Sequence, residues 1–91
     1  MRDYEAVFVF RPEDELYGQG KQLVTEELAK AGATIVKDED MGNRELAYQI
    51  KSESRGHYHL YEAQIPPDKL TELSAAIRLM NPVLKHLFVK K

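Results

Sequence analysis

The sequence predicts an α+β domain in which two helices cover one face of a four-stranded antiparallel sheet. Short β-branched and aromatic runs alternate with two stretches whose apolar residues recur at helical spacing, in the order β-α-β-β-α-β. Proline or glycine punctuates most of the boundaries between them. A length of 91 residues fits a single domain spanning residues 1–91. These observations together predict a split pair of βαβ units, the ferredoxin-like arrangement.

The first predicted strand runs from Tyr4 to Phe10 and reads YEAVFVF. After Glu5 its apolar residues occupy both faces, which is typical of a strand in the middle of a sheet. Pro12 follows, and it ends the strand because proline has no amide hydrogen for the ladder.

A helical stretch comes next, with acidic residues at positions 13–15 that suit the positive end of a helix dipole. Gly18 and Gly20 lie inside the pattern, where each costs about 1 kcal/mol relative to alanine. We therefore expect a frayed first turn or a late start. Gly32 suits the position after the last turn because glycine accepts a positive φ. The expected buried face consists of Leu16, Leu23, Val24, Leu28 and Ala31.

One long strand with a break is predicted from Thr34 to Lys51, and Gly42 in its middle indicates a bulge. Residues 52–56 have the composition of a hairpin loop, and residues 57–65 form the return strand.

A second helix is predicted to begin at Pro67 and to stop before Pro82. Its expected buried stripe is Leu70, Leu73, Ile77 and Met80. The last strand covers residues 83–89, and the sequence leaves open which of its half-apolar faces meets the core. The two faces are Val83, Lys85, Leu87 and Val89 on one side and Leu84, His86 and Phe88 on the other.

Composition and charge limit the classes of function. The absence of cysteine excludes a thiolate nucleophile and a cysteine-ligated zinc site. No apolar run of about 18 residues and no export signal is visible, so we expect a cytoplasmic protein without membrane contact. The net charge of −2 is low for a nucleic-acid-binding domain. It divides, however, into −5 over residues 1–42 and +3 over residues 43–91, so one part could face a basic partner and another could face phosphate.

No pattern of catalytic or metal-binding residues stands out. The serines lack a Gly-x-Ser-x-Gly context, and neither phosphate-binding glycine motif is present. Acylphosphatase chemistry would need a phosphate site after the first strand, where three acidic residues stand instead. His57 and His59 share one face of a strand and His86 lies on another strand, so a metal site would still need a third and a fourth ligand in tetrahedral range. The acidic run at Asp38 fails as a calcium loop because Gly42 and Gln49 occupy ligand positions. We expect no enzymatic activity, no metal and no cofactor.

Motifs along the whole chain carry a family resemblance. They are Met1-Arg2-x-Tyr4-Glu5, then Gly42-x-Arg44-x-Leu46-Ala47-Tyr48-x-Ile50, then Gly56-x-Tyr58 followed by Tyr61. On these residues the chain resembles the family of bacterial small-subunit ribosomal protein six. The resemblance implies a ferredoxin-like fold and a structural role in the small ribosomal subunit. It also implies binding to the central domain of 16S ribosomal RNA together with small-subunit ribosomal protein eighteen. We expect a monomer when the chain is isolated.

A set of basic and aromatic residues is predicted to contact RNA. Because the first and last strands would be antiparallel neighbours, Arg2 should lie near Lys90 and Lys91, where cations can contact phosphates. From the residues alone a solvated surface is the favoured interpretation. The resemblance reverses this for Arg2 and Lys90, and only partly for the hairpin residues. Tyr58 and His57 lie on the strand where RNA-recognition motifs carry stacking aromatic residues, although they could also belong to the core. The predicted set is Arg2, Arg44, Lys51, Arg55, His57, Tyr58, Lys90 and Lys91.

The acidic run at residues 38–40 allows two interpretations. It could be a charged edge that blocks aggregation between sheets, or a docking surface for a basic partner with apolar anchors beside it. The resemblance favours the second interpretation, with Asp38, Asp40, Met41, Leu46 and Tyr48 as the predicted partner residues. The rim of the sheet would then be cationic towards RNA and anionic towards the partner.

Two other functions stay open at this point. One is a regulatory ligand-binding module of the same fold, which would form a homodimer through its sheet edges. The other is a binder of single-stranded RNA that resembles an RNA-recognition motif.

Overall fold

The fold has the predicted element order. The computed structural model describes residues 1–91. Its strands are β1 (Arg2–Phe10), β2 (Thr34–Ile50), β3 (Glu53–Ile65) and β4 (Val83–Lys90), and its helices are α1 (Asp14–Lys30) and α2 (Leu70–Arg78). A 3-10 turn at Pro67–Lys69 leads into α2. All neighbouring strands are antiparallel, in the order β2-β3-β1-β4. This confirms the ferredoxin-like fold and the central position of β1.

The core lies between the sheet and the two helices. Alternation along β1 directs Phe8 and Phe10 towards the helices, and both rings are fully buried. Phe8 meets the ring of Tyr61 edge-on, with 5.5 Å between the centroids. Both helices pack on these aromatic rings. Helix α1 contributes Val24 and Leu28 to the core, and α2 contributes Leu73 and Ile77.

Helix α1 differs from the prediction in two respects. It begins at Asp14 and continues through both glycines, so the expected frayed start was wrong. Gly20 is buried directly over Phe10, and this close approach fixes the line along which the helix touches the sheet. That line continues through Val24 and Leu28, four and eight residues on. Leu23 lies off it and is 40% exposed, which corrects its predicted burial.

The β2–β3 hairpin is tighter than predicted. Lys51 and Ser52 both have positive φ, 49° and 68°, which is the pattern of a two-residue hairpin turn. Strand β3 therefore begins at Glu53, and the five-residue loop over residues 52–56 was wrong. The expected bulge is confirmed, since the β2–β3 register shifts at Gly42, whose φ is +88°.

The largest of three register shifts between β2 and β3 creates an arch that the sequence did not indicate. Between two register points, β2 advances from Glu45 to Ile50 while β3 moves only from Arg55 to Glu53. The surplus residues 46–49 leave the ladder, and we call them the β2 arch. Leu46 is half-buried beside Gly56, whereas Tyr48 is 65% exposed.

Two side-chain tethers fasten this end of the sheet. Lys51 Nζ donates a hydrogen bond to the Val83 carbonyl oxygen at 3.0 Å. Arg11 Nε donates to the Asn81 carbonyl oxygen at 2.9 Å, and its guanidinium also lies 3.1 Å from a Glu53 carboxylate oxygen. The hairpin and the loop before β4 are thus tied together through charge-assisted bonds.

The register of β4 resolves the question that the sequence left open. Val83 pairs with Phe10 and Lys85 with Val9, so Leu84 is the extra residue of a bulge. Both Val83 and Leu84 are buried there. Beyond the bulge, His86 and Phe88 pack against Phe8 on the helix side of the sheet. The opposite side chains, Lys85, Leu87 and Val89, are exposed on the open face.

Candidate functional site

One end of the sheet gathers the chain termini. Tyr4 pairs with Lys90, and the Lys91 backbone N–H donates to the Asp3 carbonyl oxygen at 3.0 Å. Arg2 therefore lies at the same end as Lys90 and Lys91, as the topology predicted. Arg2 and Lys90 are exposed and form no ion pair. They are the unpaired side-chain cations of this end.

Lys91 differs from these two because it is engaged within the chain. Its Nζ forms an ion pair with Glu62, and this hydrogen bond raises the pKa of Lys91 and lowers the pKa of Glu62. Glu62 also lies 3.9 Å from Lys37, which is 3.1 Å from Glu39. Positive and negative charges are thus intermingled along this part of the rim of the sheet. The expected separation into a cationic side and an anionic side is therefore only partial.

The other predicted cations lie at the opposite end of the sheet. Arg44 faces the open side, and its guanidinium carbon is 5.8 Å from the centroid of the Tyr58 ring, a cation–π geometry. Arg55 Nε donates to Asn43 Oδ1 at 3.1 Å. Lys51 holds the hairpin to β4 and so acts in the fold. The structure therefore divides the predicted RNA set between two ends of the sheet and does not join it into one patch.

Tyr58 and His57 point to opposite faces because successive residues of a strand alternate. Tyr58 lies on the open face, beside a groove of about 200 Å³ whose lining includes Val7, Val9 and Leu87. His57 turns towards α1 and stacks on Tyr17, with 3.5 Å between the ring centroids. Of the two aromatic residues, Tyr58 is the one placed on the open face.

The acidic residues of β2 form hydrogen bonds with the histidines of β3. His57 Nε2 donates to Asp40 Oδ1 at 2.6 Å. This bond is the largest cause of the lowered pKa of Asp40, and the backbone N–H of Gly42 adds to it. Asp38 accepts a hydrogen bond from His59 Nε2. Both carboxylates are nevertheless about half exposed, at 48% and 53% of their side chains, so each can still meet a partner.

His59 is the buried centre of this network, with 1% of its surface exposed. Because the Asp38 carboxylate can only accept, Nε2 carries the ring hydrogen, and Nδ1 accepts from the Tyr17 hydroxyl at 2.8 Å. Burial lowers the pKa of His59, which keeps the ring neutral, while Asp38 acts in the opposite direction. Burial also raises the pKa of Tyr17. The edge strand β2 is thereby locked to α1 through β3.

The predicted partner residues lie along the β2 edge and its arch. Met41 and Leu46 are half-buried, and Tyr48 is exposed. Sequence reasoning missed Val36, which is 68% exposed on the same strand. Its position next to Ile35 was a usable signal, since one of two consecutive apolar residues in a strand must face away from the core.

No group of three histidine, aspartate or glutamate side chains converges on a point where a metal ion could bind. None of the helices combines the length and apolar character needed to cross a membrane. The concave features are grooves at the surface.

Comparisons with known proteins agree with one another. A family model described as Ribosomal protein S6 matches residues 3–90. Small ribosomal subunit protein bS6 of Treponema pallidum (strain Nichols) is 40% identical over 90 residues, which cover 99% of this chain and 97% of that protein. The bS6 of Campylobacter lari is 37% identical over 93 residues, which cover 99% of this chain and 74% of that protein.

Solved structures extend the comparison to three dimensions. The crystal structure of 30S ribosomal protein S6 from Thermotoga maritima superposes with a TM-score of 0.88 and 25% identity, covering 99% of this chain and 87% of that one. The C-terminal domain of the MgtC protein from Mycobacterium tuberculosis superposes with a TM-score of 0.68 and 13% identity, and this likeness concerns the fold alone.

Proposed function

Since this chain belongs to the ribosomal protein S6 family and is a structural, non-enzymatic constituent of the small ribosomal subunit, we propose that it binds the central domain of 16S ribosomal RNA jointly with small-subunit ribosomal protein eighteen. Its place is accordingly the ribosome, in the cytoplasm. The observation that carries the proposal of joint binding is that only two unpaired side-chain cations, Arg2 and Lys90, lie at the end where the termini meet, on a chain of net charge −2.

The RNA side of the proposal rests on Arg2 and Lys90, the two unpaired cations at the end where the termini meet. Each phosphate contact in a nucleic-acid complex contributes through counterion release, and complexes with a strong salt dependence involve roughly 6–10 such contacts. Two free cations at one end, with Lys91 already paired, are too few for tight binding by this chain alone. A cationic companion would supply the missing contacts and turn two weak sites into one stronger composite site.

The partner side of the proposal rests on the β2 edge and the β2 arch. The edge presents unpaired backbone groups, the exposed apolar side chains Val36 and Tyr48, and the half-exposed carboxylates Asp38 and Asp40. An apolar centre with a charged rim of one sign is the usual composition of an interface with a partner of opposite charge. A small basic ribosomal protein has that charge.

The test is a gel-shift titration of a 16S central-domain fragment with this chain, in the presence and absence of the partner protein. We expect weak binding by the chain alone and much tighter binding with the partner. Arg2→Glu and Lys90→Glu should each weaken the ternary complex and reduce its salt slope by about one. Lys30→Glu, at an exposed position of α1 whose ammonium group is already paired with Glu27, is the control for a paired surface cation. If the partner leaves the affinity unchanged, the composite site does not exist.

A second candidate function is stacking of an unpaired RNA base on Tyr58, which the adjacent Arg44 favours on the open face. Tyr58→Ala would then weaken binding to a single-stranded oligonucleotide, whereas Tyr58→Phe would retain it. Loss of binding in both variants argues against stacking. We also propose that the isolated chain is a monomer, and sedimentation equilibrium tests this against the homodimeric ligand-binding module.

A further inference from the structure

The outer edge of β4 is a free strand edge of eight residues, Val83–Lys90. On one side β4 pairs with β1. On the other side no strand follows, so the backbone N–H and C=O groups of alternate residues that point that way have no strand partner. Such an edge is a template for one more strand, and main-chain hydrogen bonding of an added peptide is a recurrent recognition mode.

A groove of about 440 Å³ lies beside this edge, between β4 and α2. Leu70, Ser74 and Arg78 follow one another along the helix at intervals of four residues and form its wall. Phe88 adds an apolar surface from the sheet, and the small side chain of Ala75 leaves room. A strand added to β4 would direct every second side chain into this groove, because strand side chains alternate between faces.

The groove is fixed in shape by a hydrogen bond that joins its two walls. The Ser74 hydroxyl and His86 Nε2 lie 2.7 Å apart, which ties the middle of α2 to the middle of β4. Burial lowers the pKa of His86, and the positive charge of Arg78 acts in the same direction, so the ring is held neutral. A preformed groove of this kind costs little ordering on the protein side when a peptide enters it.

The charged side chains beside the β4 edge indicate which kind of peptide it would bind. Arg78 lines the groove on the helix side, Lys85 flanks the strand on the open side, and no carboxylate lines the groove. Neither cation takes part in an ion pair within the chain. A second copy of this chain fits poorly, because β4 carries two lysines and no acidic residue, so self-pairing brings no negative charge to Lys85. An acidic segment would meet positive charge on both of its faces.

We propose that the β4 edge and the β4–α2 groove bind an extended acidic polypeptide segment, which adds to the sheet as a fifth strand. The unpaired backbone edge favours a peptide over a nucleic acid, since a ribose-phosphate chain cannot extend a β-ladder. This surface is distinct from the β2 edge, at the other side of the sheet, where the proposed basic partner docks.

The test uses two fluorescein-labelled octapeptides on the intact protein, one of alternating glutamate and valine and one of alternating lysine and valine. Fluorescence anisotropy gives the affinities, and ¹⁵N amide shifts map the site without any substitution. We expect saturable binding of the acidic peptide, with shifts confined to β4 and α2 and new protection of β4 amides from hydrogen exchange. Equal binding of the two peptides, or shifts located elsewhere, would overturn the proposal. So would an RNA oligonucleotide that shifts these amides when the acidic peptide does not.

Two variants sharpen the result. Ala75→Trp fills the groove from an exposed helix position and should abolish binding of the acidic peptide. Arg78→Glu should weaken it about fivefold, the upper range for a solvent-exposed ion pair, while the control Lys30→Glu leaves it unchanged. An Ala75→Trp protein with a native amide spectrum and undiminished affinity contradicts the groove as the binding site.

Discussion

Replacing Gly20 with alanine is expected to destabilise the protein, whereas the same change at Gly18 is expected to stabilise it. Both glycines lie inside α1, two residues apart. A Cβ at Gly20 would stand 2.4 Å from Phe10 Cδ1, 2.7 Å from Phe10 Cε1 and 3.1 Å from Pro82 Cβ. A Cβ at Gly18 would meet no atom within 4 Å. The two substitutions therefore share their effect on the helix and differ in packing.

The magnitudes follow from this difference. Alanine is favoured over glycine in a helix interior by about 1 kcal/mol, so Gly18→Ala should raise the free energy of unfolding by roughly 0.5–1 kcal/mol. At Gly20 the same gain opposes overpacking of a fully buried ring, which costs about 1–3 kcal/mol or more. The Phe10 ring cannot easily turn away, because it packs between Phe8 and Tyr17 at centroid distances of 5.7 Å and 5.6 Å. We expect a net loss of roughly 1–2 kcal/mol at this site.

Urea unfolding followed by circular dichroism measures both variants against the wild type. With an unchanged m-value, the midpoint should rise for Gly18→Ala and fall for Gly20→Ala. In thermal unfolding, a domain of this size shifts its Tm by about 4–8 °C for each kcal/mol. An increase in stability for both variants would refute the reasoning, since it would mean that α1 does not lie this close to Phe10.

Three further predictions follow from the hydrogen bonds. Burial lowers the pKa of His59 and His86, so the unfolded chain binds protons near pH 6.5 that the folded chain does not. The free energy of unfolding should therefore fall as the pH is lowered from about 7.5 to 5.5. In urea titrations at several pH values, His86→Gln should make this dependence on pH less steep. A wild-type stability that does not change with pH would contradict the lowered pKa values of the two histidines. Tyr17→Phe keeps the ring but loses the bond to His59, which should cost about 1 kcal/mol in urea unfolding, and an unchanged midpoint would mean that this bond contributes nothing. Arg11→Met should cost about 1–3 kcal/mol, because a largely buried guanidinium loses two hydrogen bonds. The exposed control Lys30→Met loses one surface ion pair with Glu27 and should cost no more than about 0.5 kcal/mol. Equal effects of the two variants would argue against the tether.

The fold could be predicted from the sequence because its main signals are local. The aromatic run before Pro12 and the apolar spacing of the two helices determine which faces become buried. The two-residue hairpin turn could not be predicted, since positive φ at Lys51 and Ser52 occurs without the glycine or asparagine that usually signals it. The exposure of Leu23 was missed for a similar reason. Leu23 is exposed because the contact of Gly20 with Phe10 sets how α1 is rotated on the sheet. That contact joins a helix to a strand, whereas helical spacing describes the apolar face of the helix alone.

The candidate surfaces were predictable where topology alone decides. Antiparallel pairing of the first and last strands is enough to bring Arg2 to Lys90. The carboxylates of β2 are different, because their pairing with His57 and His59 depends on the register beyond the bulge at Gly42. A shift of one residue would turn these carboxylates to the other face. Gly42 signals one register shift, but the sequence has no signal for the other, between Ile35 and Lys37.

The RNA affinity of a Tyr48→Asp variant tests the joint binding of RNA and partner most directly. Tyr48 is exposed on the β2 arch, far along the sheet from Arg2 and Lys90, so the substitution changes the partner surface and leaves the free cations in place. Leu79→Asp, at a position that is 87% exposed, controls for the loss of a surface apolar side chain. With the partner present, the Tyr48→Asp protein should bind the central-domain fragment as weakly as the wild type does alone, while Leu79→Asp behaves as wild type. Full enhancement by the partner in the Tyr48→Asp protein would contradict the account.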